Sequence, residues 1–117
     1  MPMIRPAALA LLALPLGAAA ARADAPTPCG PRLTAIYSSV PQANWTYLYV
    51  VELVAHQRME VRVTMELPRT SPRWPNGAAI TLQPGLHQRF SLALGVLHRY
   101  DVSEMQAHTT LMCRDLG

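Results

Sequence analysis

Polar and apolar residues alternate without a break from Arg58 to Leu67. Met59, Val61, Val63, Met65 and Leu67 are apolar, and Arg58, Glu60, Arg62, Thr64 and Glu66 lie between them. A strict period of two over this length predicts a β-strand with one buried face and one solvated face. Phe90, Leu92, Leu94 and Val96 alternate with Arg89, Ser91, Ala93 and Gly95 and predict a second such strand. Ile80 and Leu82 predict a short third, joined to the second through Gln83-Pro84-Gly85-Leu86. In that tetrapeptide the proline presets φ at the first turn centre, and the glycine supplies the positive φ that a type II turn needs.

Trp45 to Ala55 is apolar on both faces apart from Thr46 and Glu52, and it is rich in Trp, Tyr and Val. That composition predicts a central strand rather than a buried helix, although periodicity alone does not separate the two. Its neighbour begins at Arg58, so a hairpin through His56-Gln57 is expected, without the Asn-Gly or Asp-Gly signal of a tight turn. Leu33 to Ser38 and Met105 to Cys113 complete the set as first and last strands. Ser103-Glu104-Met105-Gln106 also fits a capping box opening a short helix. Thr109 and Thr110 tip that segment towards strand.

About six strands at this spacing predict an all-β fold, a small antiparallel immunoglobulin-like sandwich. One segment lacks any periodicity. Pro68 to Gly77 contains Pro68, Pro72 and Pro75 and reads as a surface connection carrying Trp74.

Only two cysteines occur, Cys29 and Cys113, at opposite ends of the β-rich region. Ahead of the first, Arg5 precedes an apolar run from Ala7 to Ala21, which ends in Ala21-Arg22-Ala23. A charged start, a short apolar run and small residues at a cut are the parts of a secretory signal peptide. The run is about 15 residues, short of the roughly 20 that span a bilayer. Residues 1–23 are therefore expected to be a cleaved signal and 24–117 a single domain, periplasmic or secreted. Ala25-Pro26-Thr27-Pro28 before Cys29 does not fit a lipid-attachment site. Export places the cysteines in an oxidising compartment, so a Cys29–Cys113 disulfide tying the two ends of the domain is expected. Closing a loop of about 85 residues contributes roughly 4–5 kcal/mol in a chain-entropy model.

Removing the signal also changes the charge. The chain has 10 basic residues, all arginine, and 7 acidic ones. Arg5 and Arg22 leave with the signal, so the remaining eight arginines against seven acids give +1. That balance offers no electrostatic footprint for nucleic acid or for an anionic membrane. The absence of lysine reflects genome composition and points to a bacterial source.

The chemistry-bearing residues are sparse. His56, His87, His98 and His108 accompany Met59, Met65, Met105 and Met112, a residue set that copper sites use. The spacing contains no His-x-His or Met-x-Met pair, and Met59 and Met65 fall on the apolar stripe. His98 and His108, flanking the entry to the last strand, are the pair a metal site would use. No Gly-x-Ser-x-Gly, His-Glu-x-x-His or Cys-x-x-Cys occurs, so no enzymatic role and no cofactor is expected. Glu60 and Glu66 share a strand face with Arg58 and Arg62 as a solvated charge ladder.

The remaining class is a binding or accessory module for a protein or glycan partner. Trp74, flanked by Arg69 and Arg73, combines the two residue types most enriched at binding hot spots. Trp45, Tyr47 and Tyr49 on one strand face form a second aromatic candidate, with core packing as its competing role.

Overall fold

The computed structural model describes residues 25–117; the predicted signal at 1–23 lies outside the described residues. Eight strands form two four-stranded antiparallel sheets packed face to face. They are β1 (Thr27–Pro28), β2 (Leu33–Pro41), β3 (Thr46–Ala55), β4 (Met59–Met65), β5 (Thr70–Pro72), β6 (Ala79–Leu82), β7 (His87–Val96) and β8 (Thr109–Asp115). A single 3-10 turn, Gly30–Arg32, joins β1 to β2, and among the described residues one α-helix, α1 (Val102–Ala107), precedes β8. The first sheet has the order β1-β8-β4-β6 and the second β2-β3-β7-β5. The sandwich is as expected, but with eight strands instead of six.

The two extra strands are short. β1 and β5 contain 2 and 3 residues, too few for any alternation to show. Thr70–Pro72 thus puts an edge strand inside a segment expected to be an unstructured connection.

The stripe Met59, Val61, Val63, Met65 and Leu67 is buried throughout, each at most 5% exposed, while Arg62 and Glu66 face solvent. β3 is central, between β2 and β7, as its two-sided apolar character predicts. It does not form a hairpin with β4. The two strands belong to different sheets, and His56-Gln57-Arg58 carries the chain across the sandwich. Among the described strands only β2 and β3 are sequence neighbours within one sheet; every other connection crosses between sheets. Alternation locates strands but does not reveal which sheet receives them. The Gln83–Leu86 connection likewise crosses, with Gly85 at φ +78° as the turn requires, and its N–H donates to Ala55 O at 2.9 Å.

β7 departs from its expected alternation halfway along. Tyr49 lies opposite Ala93 but Val50 lies opposite Ser91, so Leu92 is an extra residue in a β-bulge. The bulge reverses the inward face. Phe90 and Leu92 point inward before it and Ala93 and Gly95 after it, whereas Val96, expected in the core, is 55% exposed. A methyl at Gly95 would meet Thr70 Cγ2 at 3.0 Å, which explains glycine at this close approach.

The segment expected to be a strand from Met105 divides in two. Asp101 is the N-cap of α1: its side chain accepts from Glu104 N–H, and the Glu104 carboxylate accepts from Asp101 N–H. The capping box therefore begins two residues earlier than Ser103, because Asp101 also satisfies the box pattern with Glu104 at N3. α1 buries Met105 in the core and ends at His108, and β8 starts at Thr109.

Cys29 and Cys113 are joined by a disulfide across 84 positions of sequence, with Cα atoms 4.8 Å apart and both residues buried. Cys29 sits where the chain leaves β1 for the opposite sheet, and Cys113 is in β8. The bond thus holds the first crossover against the last strand. Arg32 reinforces the same corner through Cys29 O, Pro28 O, Thr27 Oγ1 and Asp115. On the solvated face of the first sheet, Glu60 pairs with Arg114 of β8 at 3.1 Å, as cross-strand neighbours of opposite charge should.

Candidate functional site

The loop from Pro68 to Gly77 is built from its anchors outward. β5 hydrogen-bonds to the outer edge of β7, pairing Thr70 with Gly95 and Pro72 with Ala93. Arg73 N–H then donates to Leu92 O at 2.9 Å, using the carbonyl of the bulged residue. At the far end Gly77 N–H donates to Val63 O at 2.7 Å, and Arg62 donates to Gly77 O.

Asn76 fixes the centre of the loop. Its Oδ1 accepts from Met65 N–H at 3.0 Å, and its Nδ2 donates to Met65 O and Leu92 O, both at 2.9 Å. Met65 belongs to the first sheet and Leu92 to the second, so one amide side chain bridges the two layers beneath the loop. Pro75 is buried, and the Trp74–Pro75 peptide is cis.

Trp74 has nothing over it. It is 77% exposed, the most exposed large apolar side chain among the described residues. It does not fold back over the edge of the sandwich as a lid. Arg73 is exposed beside it. Arg69 lies before β5 and Trp74 after it, at opposite ends of that edge strand. Arg69 borders a cleft of about 160 Å³ with Val96, Leu97, His98 and Tyr100.

That cleft adjoins a second exposed apolar group, which the sequence pattern did not reveal. Trp45 is 72% exposed and Leu97 76%, and Leu97 N–H donates to Trp45 O at 2.7 Å. Asn44 and Trp45 occupy the centre of the β2–β3 turn at φ +59° and +58°, and Leu97 stands at φ +68°. Bulky residues in this region are uncommon, and the type I′ geometry of such a turn favours Asn-Gly. Tyr47 and Tyr49 do not share a platform with Trp45. Tyr49 is fully buried, its hydroxyl donating to His98 O and accepting from Tyr100 N–H, and Tyr47 lies half-buried with Arg99 5.6 Å from its ring. Burial raises the Tyr49 and Tyr37 pKa values above the usual 10.0, against hydrogen bonds that lower them.

His98 packs edge-on against Tyr100, ring centroids 4.5 Å apart, and His108 closes α1, its N–H donating to Glu104 O and its carbonyl accepting from Glu66 N–H. Tyr100 in turn donates to Pro68 O at 2.6 Å. His87 pairs with Glu52 at 3.0 Å, and His56 bonds to Thr34 at 3.3 Å. Among the described residues no three His, Cys, Asp or Glu side chains converge as metal ligands. No helix among them is long and apolar enough to cross a membrane. Neither a protein-family model, nor a curated protein, nor a solved structure matches the chain.

Proposed function

We propose that the chain is an exported, non-enzymatic binding or accessory module of the periplasm, and that it engages a protein or glycan partner through Trp74 and Arg73. The carrying observation is an indole 77% exposed on a loop whose base is tied by Asn76 to both sheets. A large apolar side chain held out from a fixed backbone loses little conformational entropy on docking. The indole supplies apolar area and one donor, and the adjacent guanidinium supplies a planar donor fork. Arg69, at the other end of β5, lines the cleft with Val96 and Leu97. The buried disulfide supports an oxidising compartment, consistent with the signal-like N-terminal sequence.

Site-specific photocrosslinking in the producing cell tests this reading. A photoreactive residue at Trp74 should give a discrete adduct with one partner, and the same residue at Thr81, exposed on β6 of the other sheet, should not. Identical adduct patterns at the two positions, or none at Trp74, would remove the loop from consideration.

A further inference from the structure

The sheet edges are unequal. β1, β5 and β6 contain 2, 3 and 4 residues, whereas β2, the edge of the second sheet, contains nine. Natural edges are blunted by charge, proline or shortness. From Leu33 to Val40, β2 has no charged residue and no proline; Pro41 comes only at its end.

The direction of its main-chain groups follows from the pairing with β3. His56 N–H donates to Arg32 O and Gln42 N–H to Thr46 O, and both pairs lie in line with the β2–β3 register. Hydrogen-bonded pairs alternate with non-bonded ones in an antiparallel ladder. Even-numbered residues of β2 therefore bond to β3, and Ala35, Tyr37 and Ser39 aim N–H and C=O at the open edge. Beside Tyr37, Ser38 and Ser39 runs an open groove of about 380 Å³, walled by Arg99, Tyr100, Asp101 and Val102. The outward side chain midway along the strand is Ile36, 54% exposed.

We propose that this edge pairs with β2 of a second copy, antiparallel about a two-fold axis through Ile36, joining the two four-stranded sheets into one of eight strands. In that register Ala35 and Tyr37 of each copy form hydrogen-bonded pairs with Tyr37 and Ala35 of the other. Ser39 N–H reaches Leu33 O, whose own N–H is already given to Gly30 O. Ile36 faces its equivalent in a non-hydrogen-bonded pair, where side chains approach most closely, and Thr34 faces Ser38. An axis through Ser38 would instead draw together the two Arg99 side chains, each bonded to its own Ser39. The axis at Ile36 keeps these like charges apart and places an uncharged strand against an uncharged strand. This edge is a different surface from the Trp74 loop, and the two proposals stand or fall separately.

Cysteine placement tests the pairing and its register together. Ile36→Cys in the mature oxidised protein should give a covalent dimer on non-reducing gels under mild oxidation, at least tenfold faster than Thr34→Cys or Ser38→Cys. Sedimentation of the unmodified protein should show a concentration-dependent dimer. Ile36→Lys should raise its dissociation constant at least tenfold while leaving the melting temperature of the monomer unchanged, since the side chain is exposed. Should Ile36→Lys fail to fold, Thr34→Lys, also outward and exposed, serves the same purpose. A protein that stays monomeric at every concentration overturns the proposal, as does a dimer that Ile36→Lys leaves intact. Faster crosslinking through Ser38→Cys overturns the register.

Discussion

Replacing Asn76 with alanine removes three hydrogen bonds at once, and the structure sets the size of the loss. Met65 N–H gives up its acceptor, and the carbonyls of Met65 and Leu92 give up a shared donor. Met65 is 3% exposed and Leu92 fully buried, so water does not readily replace the amide. An unsatisfied buried donor costs about 1–3 kcal/mol, and each lost carbonyl bond about 1 kcal/mol net. The sum is about 4 kcal/mol, a large share of the roughly 5–15 kcal/mol that holds a small domain together. At about 4–8 °C per kcal/mol for a domain of this size, the melting temperature should fall by about 15–30 °C. Urea unfolding followed by circular dichroism, with Ser71→Ala as an exposed neighbour control, measures it. Asn76→Asp sharpens the case: it keeps an acceptor for Met65 N–H but turns a carboxylate towards two carbonyls. That carboxyl is better tolerated protonated, so the deficit should grow as pH rises through the carboxylate range. A loss under about 1 kcal/mol for Asn76→Ala, with no pH dependence for Asn76→Asp, would refute the inter-sheet bridge.

Other expectations follow from the same structure. Val63→Asp should cost upward of about 4 kcal/mol by burying an unpaired charge, and Arg62→Asp under about 1 kcal/mol; equal effects in denaturant titration would show the β4 register to be wrong. Reduction of Cys29–Cys113 should destabilise the domain by roughly 4 kcal/mol, read from urea midpoints with and without reductant, and two alkylated thiols in the untreated native protein would contradict the bond. Trp45→Gly should raise stability by about 1 kcal/mol, because glycine relieves the left-handed turn position that the indole occupies; thermal unfolding showing a loss would contradict this. Tyr37 and Tyr49 have raised pKa values in the folded state, so their contribution is intact below pH 10 and lost as pH climbs above it. Tyrosine absorbance and unfolding followed together should therefore show late ionisation coupled to loss of structure, and two tyrosines titrating normally in folded protein would contradict it.

What the amino-acid pattern reveals here depends on the range of the interaction. The β4 stripe, the central character of β3 and the disulfide were all legible, because each rests on local alternation, two-sided apolar composition or cysteine position. Sheet assignment was not: a crossing at His56-Gln57-Arg58 and a hairpin there have the same local pattern and differ only in which layer buries Met59. The bulge at Leu92 was equally hidden, since Phe90, Leu92, Leu94 and Val96 alternate well on paper, and only the pairing with Tyr49 and Val50 shows the slip. Asp101 was a missed signal, the better cap for a helix judged from Ser103. At the candidate site Trp74 and its arginines stood out by residue type. Asn76 did not, because an asparagine before a glycine in a proline-rich loop resembles ordinary turn chemistry until the two carbonyls it bridges are brought beside it.

Paired measurement of melting temperature and partner recovery for Trp74→Ala addresses the proposed recognition surface most directly. With the indole 77% exposed, stability should change by under about 0.5 kcal/mol, while recovery of the partner crosslinked at this position should fall at least tenfold. A stability loss near 3 kcal/mol, the size of a core truncation, would mean that Trp74 packs against the sandwich. Unchanged recovery would mean that the partner is held elsewhere.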